Sequence, residues 1–220
     1  MIRVTAFKWV PPFAAGLVRD LRVRWALEEA GLPYEERLIG QGEQNSPEYR
    51  SLQPFGQVPV YEEDGLTLFE SGAILLHISE RSEALLPREP AARAKAIQWV
   101  FAALNSIEPH IWQLALIDIF YPNEEWAKLR RPGALEFAEK RLDGLAARLG
   151  DSDYLDSGRF TAGDLMMTTV LRILRHTDLV DKRPALAAYQ ARCEVRPAFR
   201  KALADQLAPF EANAPAQAAE

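Results

Sequence analysis

Strand-forming patterns in this 220-residue chain are confined to residues 1–81. There, strand-type alternation and helical periodicity follow one another in the order strand, helix, strand, irregular segment, strand, strand, helix. A Pro-containing stretch at 82–91 indicates a linker, and the patterns after it predict helices only. This division predicts an α/β domain over 1–81, a linker over 82–91 and an all-helical domain over 92–220.

The clearest local signal in the α/β part is a hairpin around Asp64-Gly65. Asp-Gly between two short apolar runs, Val58 to Tyr61 and Leu66 to Phe69, is typical of a tight β-turn. Ser71 follows at the predicted start of a helix through Ile78, because Ser is a favoured N-cap residue. A hairpin followed by a helix therefore closes the predicted α/β domain.

The first predicted helix runs from Leu17 to Ala30, with Gly31 at the position of a C-terminal cap. Three arginines lie along it: Arg19, Arg22 and Arg24. The simplest interpretation of Arg22 and Arg24 is a solvated helix face, with Arg24 pairing a carboxylate.

The helical half opens with a long pattern from Ala91 to Ile119, which Pro109 must kink or interrupt. Further helices are predicted at 133–149, 162–176, 184–193 and 197–207. Thr161 and Asp164 have the spacing of a capping box with Asp in place of the usual Glu or Gln. This box predicts the start of the helix at Ala162.

Composition excludes several classes of function. With 26 Lys and Arg against 31 Asp and Glu, the net charge of −5 is dispersed and disfavours nucleic-acid binding. No apolar run approaches the roughly 20 residues of a membrane helix, so we expect no membrane segment and a cytoplasmic protein. The three histidines stand at no metal-ligand spacing, which predicts no metal. One cysteine, Cys193, forms no Cys-x-x-Cys pair, which disfavours dithiol chemistry.

Three motifs in order resemble the cytosolic glutathione S-transferase family of the bacterial type. They are Gly56-Gln57-Val58-Pro59-Val60, then Leu68-Phe69-Glu70-Ser71-Gly72-Ala73-Ile74, and then the box from Phe160 to Leu165. The resemblance covers nearly the whole chain. It implies a thioredoxin-like N-terminal domain, an all-helical C-terminal domain and a homodimer. It also implies glutathione as co-substrate, with a small hydrophobic electrophile as its partner in a detoxifying transfer reaction.

The predicted helix start at Ser71 suits one end of glutathione. A helix N-terminus favours an anion, so the Ser71 backbone N–H and hydroxyl can receive the γ-glutamyl carboxylate. Glu70, next to it, can pair with the ammonium group of the same residue. In the family, the matching pair of residues has this role.

The resemblance also implies a cis peptide bond between Val58 and Pro59, which turns the Val58 backbone towards the main chain of the ligand. Gln57 is predicted to reach the glycine carboxylate of glutathione. Gln44, in the preceding polar loop, is a further candidate for glutathione binding.

Relatives keep glutathione as a thiolate with a Tyr, Ser or Cys near the first helix, and residues 8–24 contain no Tyr, Ser, Thr or Cys. The matching position falls near Leu17. Three explanations stay open. Backbone N–H groups of Ala15, Gly16 and Leu17 stabilise the thiolate, or Arg19 does so, or the protein binds glutathione without activating it.

Apolar side chains predict where the electrophile binds. Trp9 and Phe13 lie in the first loop, and the resemblance implies that this loop faces the kinked helix carrying Trp112 and the nearby Tyr121. The leading hypothesis is therefore glutathione conjugation. The alternatives are a non-catalytic binding or protein-interaction module, and a glutathione-dependent isomerase or dehalogenase.

Overall fold

The computed structural model describes residues 1–156 and 158–215. Its strands are β1 (Ile2–Phe7), β2 (Tyr34–Ile39), β3 (Tyr61–Glu63) and β4 (Leu66–Leu68). Its α-helices are α1 (Asp20–Ala30), α2 (Pro47–Leu52), α3 (Ser71–Ser79), α4 (Pro90–Phe101), α5 (Glu108–Ala115), α6 (Glu125–Leu149), α7 (Ala162–Leu171), α8 (Pro184–Glu194) and α9 (Pro197–Ala212). Among these residues, no helix is both long and apolar enough to cross a membrane.

The elements form two compact units, one over residues 1–82 together with α9, and one over the described residues from 83 to 196. The first unit holds a four-stranded sheet in the order β2-β1-β3-β4. β1 and β2 are parallel, with Ile2 opposite Tyr34, and the β1–β3 and β3–β4 pairs are antiparallel. A mixed α/β sheet followed by a helical part confirms the predicted fold class.

The start of the first helix differs from the prediction, because α1 begins at Asp20 and not at Leu17. The preceding residues form turns, and Gly16 has a φ of 77°, a left-handed value that a right-handed helix cannot contain. At the other end, Gly31 caps α1 with a φ of 65°, as predicted.

The hairpin turns at Asp64 and Gly65, both with positive φ, as the Asp-Gly signal predicts. The predicted N-cap of α3 is wrong by one residue, since Glu70 occupies the cap and Ser71 is the first helical residue. Ser71 adopts the helical backbone, so its N–H is the first of the helix.

In the second unit, the predicted helical stretch from Ala91 to Ile119 is confirmed, but it is interrupted by π-helical turns and not at Pro109. A π-helical turn at Ala102–Ile107 separates α4 from α5, and a second one at Leu116–Phe120 follows α5. Pro109 lies in the first turn of α5, where a missing N–H costs nothing because that group has no helical acceptor. The interruption therefore precedes the proline.

The predicted capping box is confirmed at the start of α7. The Asp164 carboxylate accepts the backbone N–H of Thr161 at 2.9 Å and the backbone N–H of Leu155 at 2.9 Å. The box is complete, because the Thr161 side chain also accepts the backbone N–H of Asp164. Asp164 thereby fixes both the helix start and the loop before it.

Candidate functional site

The N-terminus of α3 carries two of the residues predicted to bind glutathione, Glu70 and Ser71. Ser71 is 4% exposed, and its hydroxyl accepts a hydrogen bond from Nη1 of Arg22 at 3.2 Å. Glu70 is exposed, has a φ of 69°, and makes no side-chain cap to the helix. The first N–H groups of α3 have no acceptor within the helix, so this end favours an anion.

The peptide bond between Val58 and Pro59 is cis. The segment borders the sheet, because the carbonyl oxygen of Val60, the residue after Pro59, accepts the Thr5 backbone N–H at 2.8 Å. On its other side, the Tyr49 hydroxyl donates to the Gln57 carbonyl oxygen at 2.7 Å. Sequence reasoning missed Tyr49, which no motif distinguishes from an ordinary core residue of a short helix.

The structure brings the loop of Gln44 next to Gln57. A Cβ atom built on Gly56, the residue before Gln57, would lie 3.0 Å from the Gln44 carbonyl oxygen. The Gln44 side chain, however, accepts the backbone N–H of Gly42 at 2.7 Å and so stays within its own loop. The side chain of Gln57 is exposed and available to a ligand.

The residues predicted to stabilise a thiolate lie in the turns before α1, and not at a helix start. The N–H groups of Ala15 and Leu17 already donate to the carbonyl oxygens of Pro12 and Ala14, at 3.3 and 3.0 Å. Arg19 is half-buried at the N-cap position of α1. The roles of Ala15, Gly16, Leu17 and Arg19 remain predictions.

The predicted solvated face of α1 is wrong, whereas the predicted pairing of Arg24 with a carboxylate is confirmed. Arg24 is fully buried, with its Nε donating to Asp20 at 2.7 Å and its Nη1 bonded to Glu36. Arg22 is 3% exposed. The spacing of Asp20 and Arg24 is that of an i,i+4 ion pair, which is the only sequence signal of this arrangement.

The four aromatic side chains predicted to meet the electrophile are divided between the two units. Trp9 is half-buried and Phe13 is 45% exposed in the first unit. In the second unit, Trp112 and Tyr121 are 42% and 43% exposed. The Trp112 ring lies 6.2 Å from that of Phe120, and the Tyr121 ring lies 5.2 Å from that of Trp126. The second unit therefore presents an accessible aromatic surface.

In the parts of the chain that the structure describes, no group of three or more His, Cys, Asp or Glu side chains could hold a metal ion. Cys193 is buried, and burial raises the pKa of its thiol to about 12, so it stays protonated at neutral pH. A protonated, inaccessible thiol is a poor nucleophile.

Comparisons with known proteins agree with one another. Residues 13–80 match the family model for the glutathione S-transferase N-terminal domain, and residues 132–192 match that for the C-terminal domain. Glutathione S-transferase 4 of Zea mays is 30% identical over 222 residues, covering 96% of each chain.

Two solved structures show the same fold. A glutathione transferase family member from Pseudomonas fluorescens Pf-5, with two glutathione bound, has a TM-score of 0.81, 27% identity and 92% coverage of both chains. A glutathione transferase from Burkholderia graminis, with two glutathione molecules per subunit, has a TM-score of 0.81 and 26% identity. That match covers 99% of this chain and 89% of the other.

Proposed function

Because the chain belongs to the glutathione S-transferase family, we propose that it transfers the thiolate of glutathione to a small hydrophobic electrophile. The observation that carries the proposal is the N-terminus of α3, where a buried Ser71 hydroxyl and the exposed Glu70 carboxylate adjoin. A hydroxyl with free helix N–H groups suits the γ-glutamyl carboxylate, and a carboxylate suits the ammonium group.

The rest of the peptide is assigned to the segment around the cis bond. The backbone of Val58, which precedes the cis bond to Pro59, is proposed to pair with the main chain of glutathione. Gln57 is proposed to donate to the glycine carboxylate, with Gln44 in the loop beside it. This assignment holds glutathione at both ends and leaves its thiol in the middle for reaction.

Thiolate stabilisation is assigned to the turns before α1, through the N–H groups of Ala15, Gly16 and Leu17 and through Arg19. An N–H that already donates can be shared with a second acceptor, as in three-centre bonds at helix ends. Each unit by which the site lowers the thiol pKa favours the thiolate by about 1.36 kcal/mol. Positioning of the two reactants supplies the remaining gain.

The electrophile is proposed to be small and hydrophobic because exposed aromatic side chains occur in both units. Family membership further supports a cytoplasmic homodimer with a detoxifying role. The relative from Pseudomonas fluorescens carries glutathione, which supports the same ligand for this chain.

A calorimetric titration with glutathione and with S-methylglutathione tests the proposal, combined with the absorbance of the bound thiolate followed across pH. We expect binding in the micromolar to low-millimolar range, with the thiol pKa well below its free value of about 8.5. Turnover of an activated aryl halide should follow the same pH profile. Absence of binding to either peptide would contradict the proposal.

One observation favours a second candidate, a protein that binds glutathione without activating it. Residues 8–24 contain no Tyr, Ser, Thr or Cys, and the hydroxyl of Thr5, on β1, is fully buried. Under this alternative, glutathione binds but its thiol pKa does not move, and no aryl halide is consumed. The same titration therefore separates the two functions.

A further inference from the structure

Arg22 is a buried arginine that contacts Ser71, the first residue of α3. It lies in the first turn of α1, is 3% exposed, and donates from Nη1 to the Ser71 hydroxyl oxygen at 3.2 Å. Arginine is almost never this buried unless it has partners, and its guanidinium stays protonated in proteins. A fixed positive charge therefore lies against the hydroxyl that begins α3.

The hydrogen bond from Arg22 leaves the Ser71 hydroxyl able to donate its own proton. A hydroxyl group has one O–H and two acceptor positions, and Arg22 uses one of the acceptor positions. The O–H proton remains for another acceptor, and a donor bonded to a cation is polarised towards stronger donation. Ser71 itself is 4% exposed, so its rotamer is held by its surroundings.

Two sources of positive potential then meet at one residue. The N-terminal N–H groups of α3 carry the positive end of the helix dipole. The Arg22 guanidinium, in contact with the Ser71 hydroxyl, adds a full positive charge. No acidic side chain lies in the first turn of α3, and the exposed Glu70 carboxylate at its cap is assigned to the ammonium group of the ligand. A bound carboxylate would meet the helix N–H groups directly and the effect of Arg22 through the Ser71 hydroxyl.

We infer that Arg22 is a positioning residue of the glutathione site, which acts through Ser71 to select the γ-glutamyl α-carboxylate. The inference rests on the proposed function, because it presupposes that glutathione binds at Ser71. Arg24 does not share this role, since its Nε and Nη1 are committed to Asp20 and Glu36.

The test compares two ligands in four proteins. The ligands are glutathione and glutathione amidated at the γ-glutamyl α-carboxylate, each titrated calorimetrically. The proteins are the wild type, Arg22→Gln, Ser71→Ala and the double variant. Arg3→Gln, which removes an exposed cation from β1, is the control for bulk charge.

We expect Arg22→Gln to bind glutathione roughly ten-fold more weakly, as for loss of one charge-assisted interaction. The amidated ligand should be affected much less, so the ratio of the two affinities falls. The double variant should bind no more weakly than Ser71→Ala, because Arg22 acts through that hydroxyl. A structural role would weaken both ligands equally and would add to the effect of Ser71→Ala.

If Arg22→Gln does not fold, Arg22→Met carries the same comparison, because it removes the charge and keeps an unbranched, adaptable side chain at a buried position. An unchanged affinity ratio in whichever variant folds overturns the inference. Failure of the wild-type protein to bind glutathione is a different result, and it overturns the proposed function instead.

Discussion

The hydroxyl of Tyr49 donates a 2.7 Å hydrogen bond to the backbone carbonyl oxygen of Gln57. Tyr49 lies on α2 and is buried, and Gln57 directly precedes the cis bond between Val58 and Pro59. The bond ties α2 to the start of the segment proposed to face glutathione. Because burial raises the pKa of Tyr49 to about 12, the hydroxyl remains a donor across neutral pH.

Replacing Tyr49 by Phe should therefore affect both stability and binding. We expect the free energy of unfolding to fall by about 1 kcal/mol, because the Gln57 carbonyl loses its partner. The Kd for glutathione should rise severalfold, since the binding segment loses an anchor. Urea unfolding and calorimetry measure the two effects.

Tyr154→Phe, in the second unit, is the control and should leave the Kd unchanged. Wild-type affinity in folded Tyr49→Phe would show that the bond does not position the segment.

Glu70→Gln tests the proposed ammonium partner without disturbing the fold. Glu70 is exposed and makes no cap bond to α3, so the melting temperature should stay within experimental error. Loss of a charge-assisted contact should raise the Kd for glutathione roughly ten-fold. The control is Glu48→Gln, an exposed carboxylate on α2, which should bind as the wild type does. Equal affinities in all three proteins would remove Glu70 from the site.

Elements with local signals could be predicted closely from the sequence. α2 begins with Pro47 after Ser46, whose hydroxyl accepts the Tyr49 backbone N–H at 3.1 Å. The hairpin turn is likewise fixed by Asp64-Gly65, whose residues tolerate the positive φ that the turn needs. Such signals act within a few residues and need no tertiary partner.

Features set by distant partners could not be predicted. The Arg22 contact to Ser71 joins residues 49 positions apart, and the Arg24 contact to Glu36 joins two different elements. On a helix with charged residues all round, hydrophobic periodicity gives no indication that these two arginines are buried. The π-helical turn before Pro109 is similar, because an inserted residue leaves no compositional signal.

Asp164→Ala should be among the most destabilising single changes in the second unit. The carboxylate accepts hydrogen bonds from the backbone of Leu155 and Thr161, and also from the Tyr189 hydroxyl at 3.1 Å. Removing it leaves buried donors without an acceptor, at a cost of roughly 3 kcal/mol in unfolding free energy. Denaturant unfolding measures this.

Two further variants give reference values for the stability of Asp164→Ala. Asp151→Ala, at an exposed position, should leave the stability unchanged. Asp164→Asn retains one acceptor oxygen, so its stability should fall between those of the wild type and Asp164→Ala. A loss of stability in Asp164→Ala no larger than that in Asp151→Ala would mean that the box contributes little.

Glu63→Gln should make stability less sensitive to acid. The carboxylate of Glu63 accepts the Tyr61 hydroxyl at 2.6 Å and Arg81 Nη1 at 2.8 Å, and these bonds hold its pKa below the ordinary value of 4.5. An acid with a lowered folded pKa stabilises the fold above its unfolded pKa, and this contribution is lost as pH falls through the folded pKa. The stability difference between the wild type and Glu63→Gln, about 1 kcal/mol, should therefore be constant from pH 7 to pH 6 and shrink below about pH 4.5.

Urea unfolding at several pH values measures this difference, with Glu35→Gln, at an exposed position, as the control. A difference that grew with acid would mean that Glu63 is protonated more readily in the folded protein, and that the two hydrogen bonds do not favour its charged form.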